Sequence, residues 1–550
     1  MNTEANAAPH IVVVVLGDVG RSPRMQYHTR SLLEQGYYVS LVGYDGEDLI
    51  PDLQQSQSHQ QNQNETAQQR LNVVRFTPYC PPTWLKQYKL RGKIPIGLPI
   101  YLIIRLFGLL FGLIYALWFR VPVRKSISGD NAMMPPVQCI LVQNPPSIPL
   151  LLISYIYCIT HSRMVKIQTT PTTRTTEQKK FHIVRPGFII DWHNLGYTMF
   201  DTPPNHPITK IAKLYEQFLA PLSDGNLCVT HAMKDYLIKE FYIRNEKLKV
   251  LYDRPPEFFH CTSLEKKHDL MMKLRNEMEV SCPKMKEMRL ECSHESDDVE
   301  ECTLFTKSFV RNGTKVIHPQ ENQPILLISS TSWTPDEDFS ILLDALVELD
   351  SNIVRMMKEI DGKNSPHFVV IVTGKGPQKE MYKAKINQLK LTNISIITMW
   401  LEAEDYPILL GCADMGISLH LSTSNLDLPM KIYDFFGCEV PVCAVGFPCL
   451  DELVKDDENG RIFTSSTELS SQLCNLCCGK ERDQEDDCKL VGDLSRYRRN
   501  IRDISRWREN WILNAHDIIK ESFPSVSSVA PSTTTSVTKS DTDYVKSKTE

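Results

Sequence analysis

Apolar and polar positions along this chain fall into blocks. Residues 11–16, IVVVVL, form an unbroken aliphatic run, the pattern of a strand buried on both faces. A helical stretch is predicted over 22–35, stopped by Gly36, and 38–42 gives a second strand. Further strands are predicted at 139–142, 188–191 and 227–230. Strand, tight loop and helix in alternation predict a parallel sheet covered by helices on both faces. A second array opens at Ile325 with LLISS, then FVVIVTG, ISIITMW, MGISLHL and PVCAV, with helical segments between. Two such arrays predict an α/β chain of two facing Rossmann-like domains.

The segments between the arrays set the boundaries. The first domain is expected over 1–256, a charged inserted linker over 257–323, the second domain over 324–523, and a Ser/Thr-rich tail without a core over 524–550. The glutamine-rich stretch 54–70 and the threonine- and lysine-rich stretch 169–180 read as solvated loops. The helical stretch 501–521 is expected to pack across both domains.

Residues 94–119 are apolar apart from Arg105, with Lys86, Lys89, Arg91 and Lys93 before them and Arg120, Arg124 and Lys125 after. Their length suits a membrane span. A span would separate the first two strands from their sheet partner at 139–142, so a helix or hairpin lying in the membrane interface is expected instead.

Composition adds two constraints. With 550 residues and 42% hydrophobic content the chain can bury two ordinary cores. The net charge of −5 hides a polarity, for residues 1–256 hold 27 Lys+Arg against 18 Asp+Glu. A basic first half suits an anionic membrane surface or a phosphate-bearing partner. No compact basic block with interleaved aromatics occurs, which sets nucleic acid aside. The 16 cysteines lack a framework spacing and read as free thiols. Cys474, Cys477, Cys478 and Cys488 cluster without a nearby histidine, so no metal site is expected. The first residues show no basic region, apolar run and cleavage site, so no secretion signal is expected. The sequons at Asn64, Asn312 and Asn393 would then stay unused on a cytosol-facing chain.

In an α/β domain ligands bind at the carboxyl ends of the strands. That rule collects Gly17-Asp18-Val19-Gly20 with Arg21 and Arg24, then Gln143-Asn144-Pro145-Pro146, then Asp191-Trp192-His193-Asn194. The second array supplies 329–334, which includes Ser330 and Ser332, then Thr373-Gly374-Lys375-Gly376-Pro377 and the loop and helix 422–434. GDVGRSPR lacks the third glycine of a dinucleotide fingerprint. Its free N–H groups and arginines suit a pyrophosphate, and a purely structural turn fits equally. Pro429 opens a helix that carries Lys431 and Asp434 on one face and closes at Gly437 and Pro441. The lysine and helix N-terminus suit a diphosphate and the carboxylate a ribose diol; a capped surface helix is the plain alternative. Asp336-Glu337-Asp338 read as first-turn acids of a helix. His193 reads either as a satisfied strand-end histidine or as a proton acceptor whose tautomer Asp191 or Asn194 fixes.

The motifs LGDVGRSPRMQYH, LVQNPP, IIDWHNLGY, LCVTHAM, SSTSWTPDEDFSILLDAL, TGKGP, WLEAEDYP, LDLPMK and FGCEVPVCAV, in order from Val15 to Val445, closely resemble the chitobiosyldiphosphodolichol β-mannosyltransferase family. The resemblance implies a GT-B fold, GDP-mannose as donor, dolichyl-diphosphate chitobiose as acceptor and no cofactor. It implies residence on the cytosolic face of the endoplasmic reticulum membrane, with other mannosyltransferases of that pathway as candidate partners. Pro429 to Asp434 is similar to the P-x-K-x-x-E element of related enzymes, with aspartate replacing glutamate. Leu426 departs from the acidic residue many relatives carry, and Asp427 is the candidate substitute. Ser330, Thr331 and Ser332 stand where relatives often carry Arg and Lys. The implied donor set is Ser330, Ser332, Gly374, Lys375, Asp427, Lys431 and Asp434; the acceptor and phosphate set is Gly17, Gly20, Arg21, Arg24 and Asn144. Inversion at the sugar needs a base from the first domain, with Asp18 favoured over His193. The competing readings are another membrane-associated sugar-nucleotide transferase and a non-catalytic GT-B assembly subunit.

Overall fold

The computed structural model describes residues 8–55, 70–87, 97–125, 131–167, 180–200, 202–293, 299–311, 314–335, 337–360, 366–478 and 493–524. Most of the glutamine-rich and threonine-rich stretches, the tail after Pro524, Asn64, Asn312, Asp336, Cys488 and the side chains of Cys477 and Cys478 lie outside the described residues.

The first lobe is built on seven strands: β1 (His10–Asp18), β2 (Tyr38–Tyr44), β3 (Leu71–Phe76), β4 (Val137–Asn144), β5 (Gly187–Trp192), β6 (Gly225–Cys228) and β7 (Leu248–Val250). They run in the order β7-β6-β5-β4-β1-β2-β3, all parallel. Alternate residues of β1 serve two cores: Val12, Val14 and Leu16 enter one, and Ile11, Val13 and Val15 the other. An apolar run without polar alternation is what such a central strand requires. The first helix, α1 (Pro23–Glu34), follows β1 directly.

The second lobe repeats the plan with β8 (Ile325–Ser330), β9 (Phe368–Thr373), β10 (Ile394–Met399), β11 (Met415–Ser418), β12 (Val442–Val445) and β13 (Gly460–Phe463). Their order is β10-β9-β8-β11-β12-β13, again all parallel. Residues 257–323, expected as a charged linker, are mostly structured. The helix Leu264–Ser281 buries Leu270, Met271, Leu274 and Met278 against the second lobe, beside an antiparallel three-stranded sheet from Val299 to Pro319. Spacings of three and four keep those apolar residues on one face, and the intervening charges stay in water.

The apolar segment forms α2 (Gly97–Tyr115), continued to Arg120 by a wider turn. Residues 100–120 are long and apolar enough to cross a membrane. One face is occupied, however: Leu113, Ala116 and Leu117 are buried in the first lobe, and Gly108 and Gly112 lie against Tyr79 and Phe76. The opposite face exposes Ile103, Phe107, Phe111 and Phe119. A helix bonded side-on to a globular lobe with its outer face apolar is suited to lie on a membrane.

Two helices follow in the first lobe, α3 (Leu150–Thr160) and α4 (Pro207–Leu219), then α5 (His231–Phe241). The C-terminal stretch crosses from one lobe to the other as separate helices. After Asp493–Arg502 in the second lobe, α6 (Trp507–Asn514) and α7 (His516–Glu521) return to the first. Trp507, Trp511, Ala515, Ile518 and Ile519 complete the core on one face of the first sheet. Part of the stretch expected in the second domain, 324–523, thus packs on the first lobe.

Candidate active site

β8 ends at Ser330, and the chain turns sharply through Thr331-Ser332-Trp333, with Trp333 at φ 51°. The loop after β9 packs on this turn so closely that a Cβ on Gly374 would lie 1.8 Å from the Thr331 carbonyl oxygen. One on Gly376 would meet the Ser332 oxygen equally closely, so the loop after β9 needs glycine at both positions. Glu337 lies buried beneath. Its Oε2 accepts from the Thr331 hydroxyl and the Ser332 backbone N–H, and its Oε1 from Lys431 Nζ. Lys431 also reaches Ser332 Oγ at 3.4 Å. It stands in the first turn of α8 (Met430–Gly437), for which Pro429 is the N-cap. Ser330, Ser332, Gly374 and Lys431 are thus brought to one place, around an acid read from sequence only as a first-turn residue.

Lys375 extends over the exposed ring of Trp400, 3.7 Å from its centroid. Ser330 Oγ meets Tyr406 OH at 3.0 Å and Thr373 Oγ1 at 3.2 Å. Asp427 Oδ1 accepts from the hydroxyls of Ser422 and Ser424, and from Asn194 Nδ2 of the first lobe at 3.1 Å. Loss of solvent and then the neighbouring Asp253 carboxylate hold the Asp434 carboxyl well above the ordinary range, with Lys431 opposing. A neutral acid there both donates and accepts a hydrogen bond.

On the facing side, the fully buried Asp191 is a hub at the end of β5. Arg24 binds both its oxygens at 2.8 and 2.9 Å, His28 Nε2 approaches at 3.1 Å and His193 Nε2 at 2.8 Å. Burial opposes its charge, yet Arg24 first and His193 next hold it well below the carboxylate range. Trp511 donates to His28 Nδ1 at 2.9 Å, so His28 presents its Nε2 proton to Asp191. Burial depresses the basicity of His28. His193 is partly exposed, and with Nε2–H given to Asp191 its Nδ1 keeps a free lone pair. The next residue, Asn194, touches Asp427 and Thr423 of the other lobe.

Arg24, Gly20 and Asp18 hold the first lobe together from within. Arg24 is not at the cleft surface: it is buried, and its remaining nitrogen serves the Leu251 carbonyl and Asp253. Helix α1 turns position 24 under the sheet end while Arg21 stays outside, paired with Glu47 at 2.8 Å. Gly20 packs against the backbone of Glu47 and Asp48, where any Cβ would collide. Asp18 ties the same loops together, accepting from Gly20 N–H at 2.9 Å and Glu47 N–H at 3.0 Å. Gly17 has no such crowding. Arg24→Leu is expected to cost about 3–5 kcal/mol, because Asp191 and Asp253 lose their shared cation; the urea midpoint reads it.

Asn144, at the end of β4, is buried and joins two loops, giving Nδ2 to the Asn194 carbonyl and to Glu216 Oε1, both at 3.2 Å. Glu216 also accepts from Gly196 N–H at 2.8 Å. Burial pushes its carboxyl up to about 7, against the hydrogen bonds from Asn144 and Ser147. An acid whose folded pKa is raised contributes stability that is full below its unfolded value of 4.5 and is lost as pH rises through 7. Glu216→Gln should remove that slope. The stability difference between the parent and this variant should shift by on the order of 3 kcal/mol between pH 4.5 and 8, measured by urea unfolding.

The two lobes meet along the same rim. Thr230 donates to the Leu426 carbonyl while capping α5, and Glu452 of the second lobe accepts from the first two N–H groups of that helix at 2.8 Å. Glu216 and Glu452 were not singled out from sequence, and Glu337 was read only as a first-turn acid; a carboxylate that binds groups of a different element gives no spacing signal.

No family model matches the chain. Among solved structures, sucrose-phosphate synthase from Thermosynechococcus elongatus superposes with a TM-score of 0.51 at 9% identity, covering 92% of this chain and 97% of that one. Anabaena HepE with UDP-glucose gives 0.50 at 14% identity, covering 93% and 98%. These likenesses establish the GT-B arrangement of the fold. Curated relatives are closer. Chitobiosyldiphosphodolichol β-mannosyltransferase of Mus musculus is 37% identical over 513 residues, 92% of this chain and 88% of that protein. The Homo sapiens protein of the same name is 36% identical over 511 residues, covering 92% and 91%. The protein named UDP-glycosyltransferase TURAN of Arabidopsis thaliana is 36% identical over 509 residues, covering 91% and 94%. With identities of 36–37% over nine-tenths of the chain, it belongs to the chitobiosyldiphosphodolichol β-mannosyltransferase family of glycosyltransferases.

Proposed function

We propose that the chain moves mannose from GDP-mannose to chitobiose carried on dolichyl diphosphate, forming a β-1,4 linkage with inversion. The observation that carries this reading is the Asn194 bridge to Asp427 at 3.1 Å, which sets the His193 loop against the loop leading to Lys431. Attack by the acceptor hydroxyl oxygen forms the new bond to the anomeric carbon as the bond to the diphosphate oxygen breaks. The hydroxyl proton goes to His193 Nδ1, with Asp191 steadying the ring. Charge developing on the departing diphosphate is met by Lys431, the N-terminus of α8 and Lys375. Asp434 meets the ribose diol.

His193 is favoured over Asp18 because both Asp18 oxygens already serve backbone N–H groups of its own lobe. The apolar outer face of α2 supports residence at a membrane, in this reading the cytosolic face of the endoplasmic reticulum. A UDP-sugar donor is the second reading, favoured by the name of the Arabidopsis relative. Incubation with labelled GDP-mannose and a chitobiosyl diphosphate lipid should yield a β-mannosylated lipid that UDP-sugars do not replace. Product from a UDP-sugar alone would overturn the donor assignment.

A further inference from the structure

Helix α4 is built inside out. Its outward stripe consists of Ile208, Ile211, Leu214 and Phe218, which are 49, 63, 63 and 73% exposed. Its inward face carries Thr209, Ala212, Leu219 and the carboxyl of Glu216. A helix of an ordinary water-facing surface has the reverse distribution. A contiguous apolar patch of this kind marks a docking surface.

The patch is continuous with the membrane-suited face of α2. Between them lies α3, fixed to α4 by the bond from Leu152 N–H to Tyr215 OH at 3.0 Å. On its other side Tyr157 packs edge-on against Trp118, in the turn that continues α2. Leu152 and Ile159 of α3 are exposed as well, so three neighbouring elements each present apolar side chains to solvent. Lys210 stands exposed beside the stripe, on a half of the chain with a basic surplus. Lysine at the border of an apolar helix face is suited to lipid phosphates.

The inward face leads to the acceptor side. Glu216 holds Gly196 N–H and Asn144 Nδ2, and Asn144 in turn holds the Asn194 carbonyl. One short helix therefore carries the outward stripe on one side and holds the loops beside His193 on the other.

We propose that α4, together with α3, docks on the surface of the lipid bilayer that carries the acceptor, and so presents the acceptor loops to a headgroup at that surface. This rests on the reading of the acceptor as a lipid-linked sugar. The apolar stripe enters the interface, Lys210 meets anionic headgroups, and Glu216 transmits the position of the helix to the loops after β4 and β5.

The test uses the full chain with α2 intact, and the variant Leu214→Gln with Phe218→Gln; both side chains are exposed. Flotation with phosphatidylcholine vesicles containing phosphatidylserine should show weaker binding by the variant, about tenfold or more. Transfer to a long-chain lipid acceptor in those vesicles should fall about as much, whereas transfer to a water-soluble short-chain analogue stays within about twofold. Unchanged flotation and unchanged transfer would overturn the proposal, as would an equal loss on both acceptors. Unchanged flotation with lost capture of another protein would also overturn it and assign the face to a protein partner. If the parent chain used neither acceptor, the reading of function would fail, and flotation would still decide whether α4 docks on lipid.

Discussion

Alanine at position 431 is expected to lower transfer about 100- to 1,000-fold, with a folded protein and weakened donor binding. Lys431 contributes a cation to the site: its ammonium sits on Glu337 and near Ser332, in the first turn of α8. In the proposed reaction the departing diphosphate takes that cation over, so the loss is expected to be largest where charge has developed most. Removing the lysine also strands Glu337, which keeps its bonds to Thr331 and Ser332 but loses its counter-charge. Lys431→Arg restores the charge with different geometry and should recover only part of the rate. Calorimetric titration with GDP, paired with initial rates, separates these effects. Unchanged GDP affinity in the alanine variant would remove Lys431 from the donor site.

His193→Ala should reduce kcat about 100- to 10,000-fold while GDP affinity survives. Asp18→Asn should lose no more than about tenfold, because an amide keeps one of the two backbone bonds that pin the loop. The pair of variants decides between the candidate bases. A severe loss in Asp18→Asn with a mild one in His193→Ala would return the role to Asp18. A parallel fall of donor affinity in His193→Ala would make His193 a donor contact. Rates at saturating donor and acceptor, with GDP binding measured separately, give the answer.

Sequence pattern made the two central sheets legible because β1, β4, β8 and β9 are buried on both faces and carry continuous apolar runs. The edge strands β3, β7 and β13 escaped, since a short edge strand such as Leu248–Val250 buries little and shows no long run. The helix Leu264–Ser281 was hidden by its charges, although its buried residues keep helical spacing. Lys431, Ser332 and Gly374, which the structure brings together, could be named from sequence because strand ends and a helix start can be read from pattern. Arg24 was misplaced because nearness in sequence to a glycine loop does not say which way the first turn of a helix points. Glu337 was named only as a first-turn acid because its inward position follows from the turn through Trp333, a matter of backbone direction.

The return of Trp507 and Trp511 to the first lobe has a consequence for biosynthesis. That lobe's sheet is finished by Val250, yet one side of its core stays open until the last helices have left the ribosome. At about 5–20 residues per second, the wait lasts roughly 13–50 s. During that interval part of the aliphatic surface stays bare, and the Asp191 cluster lacks the tryptophan that fixes His28.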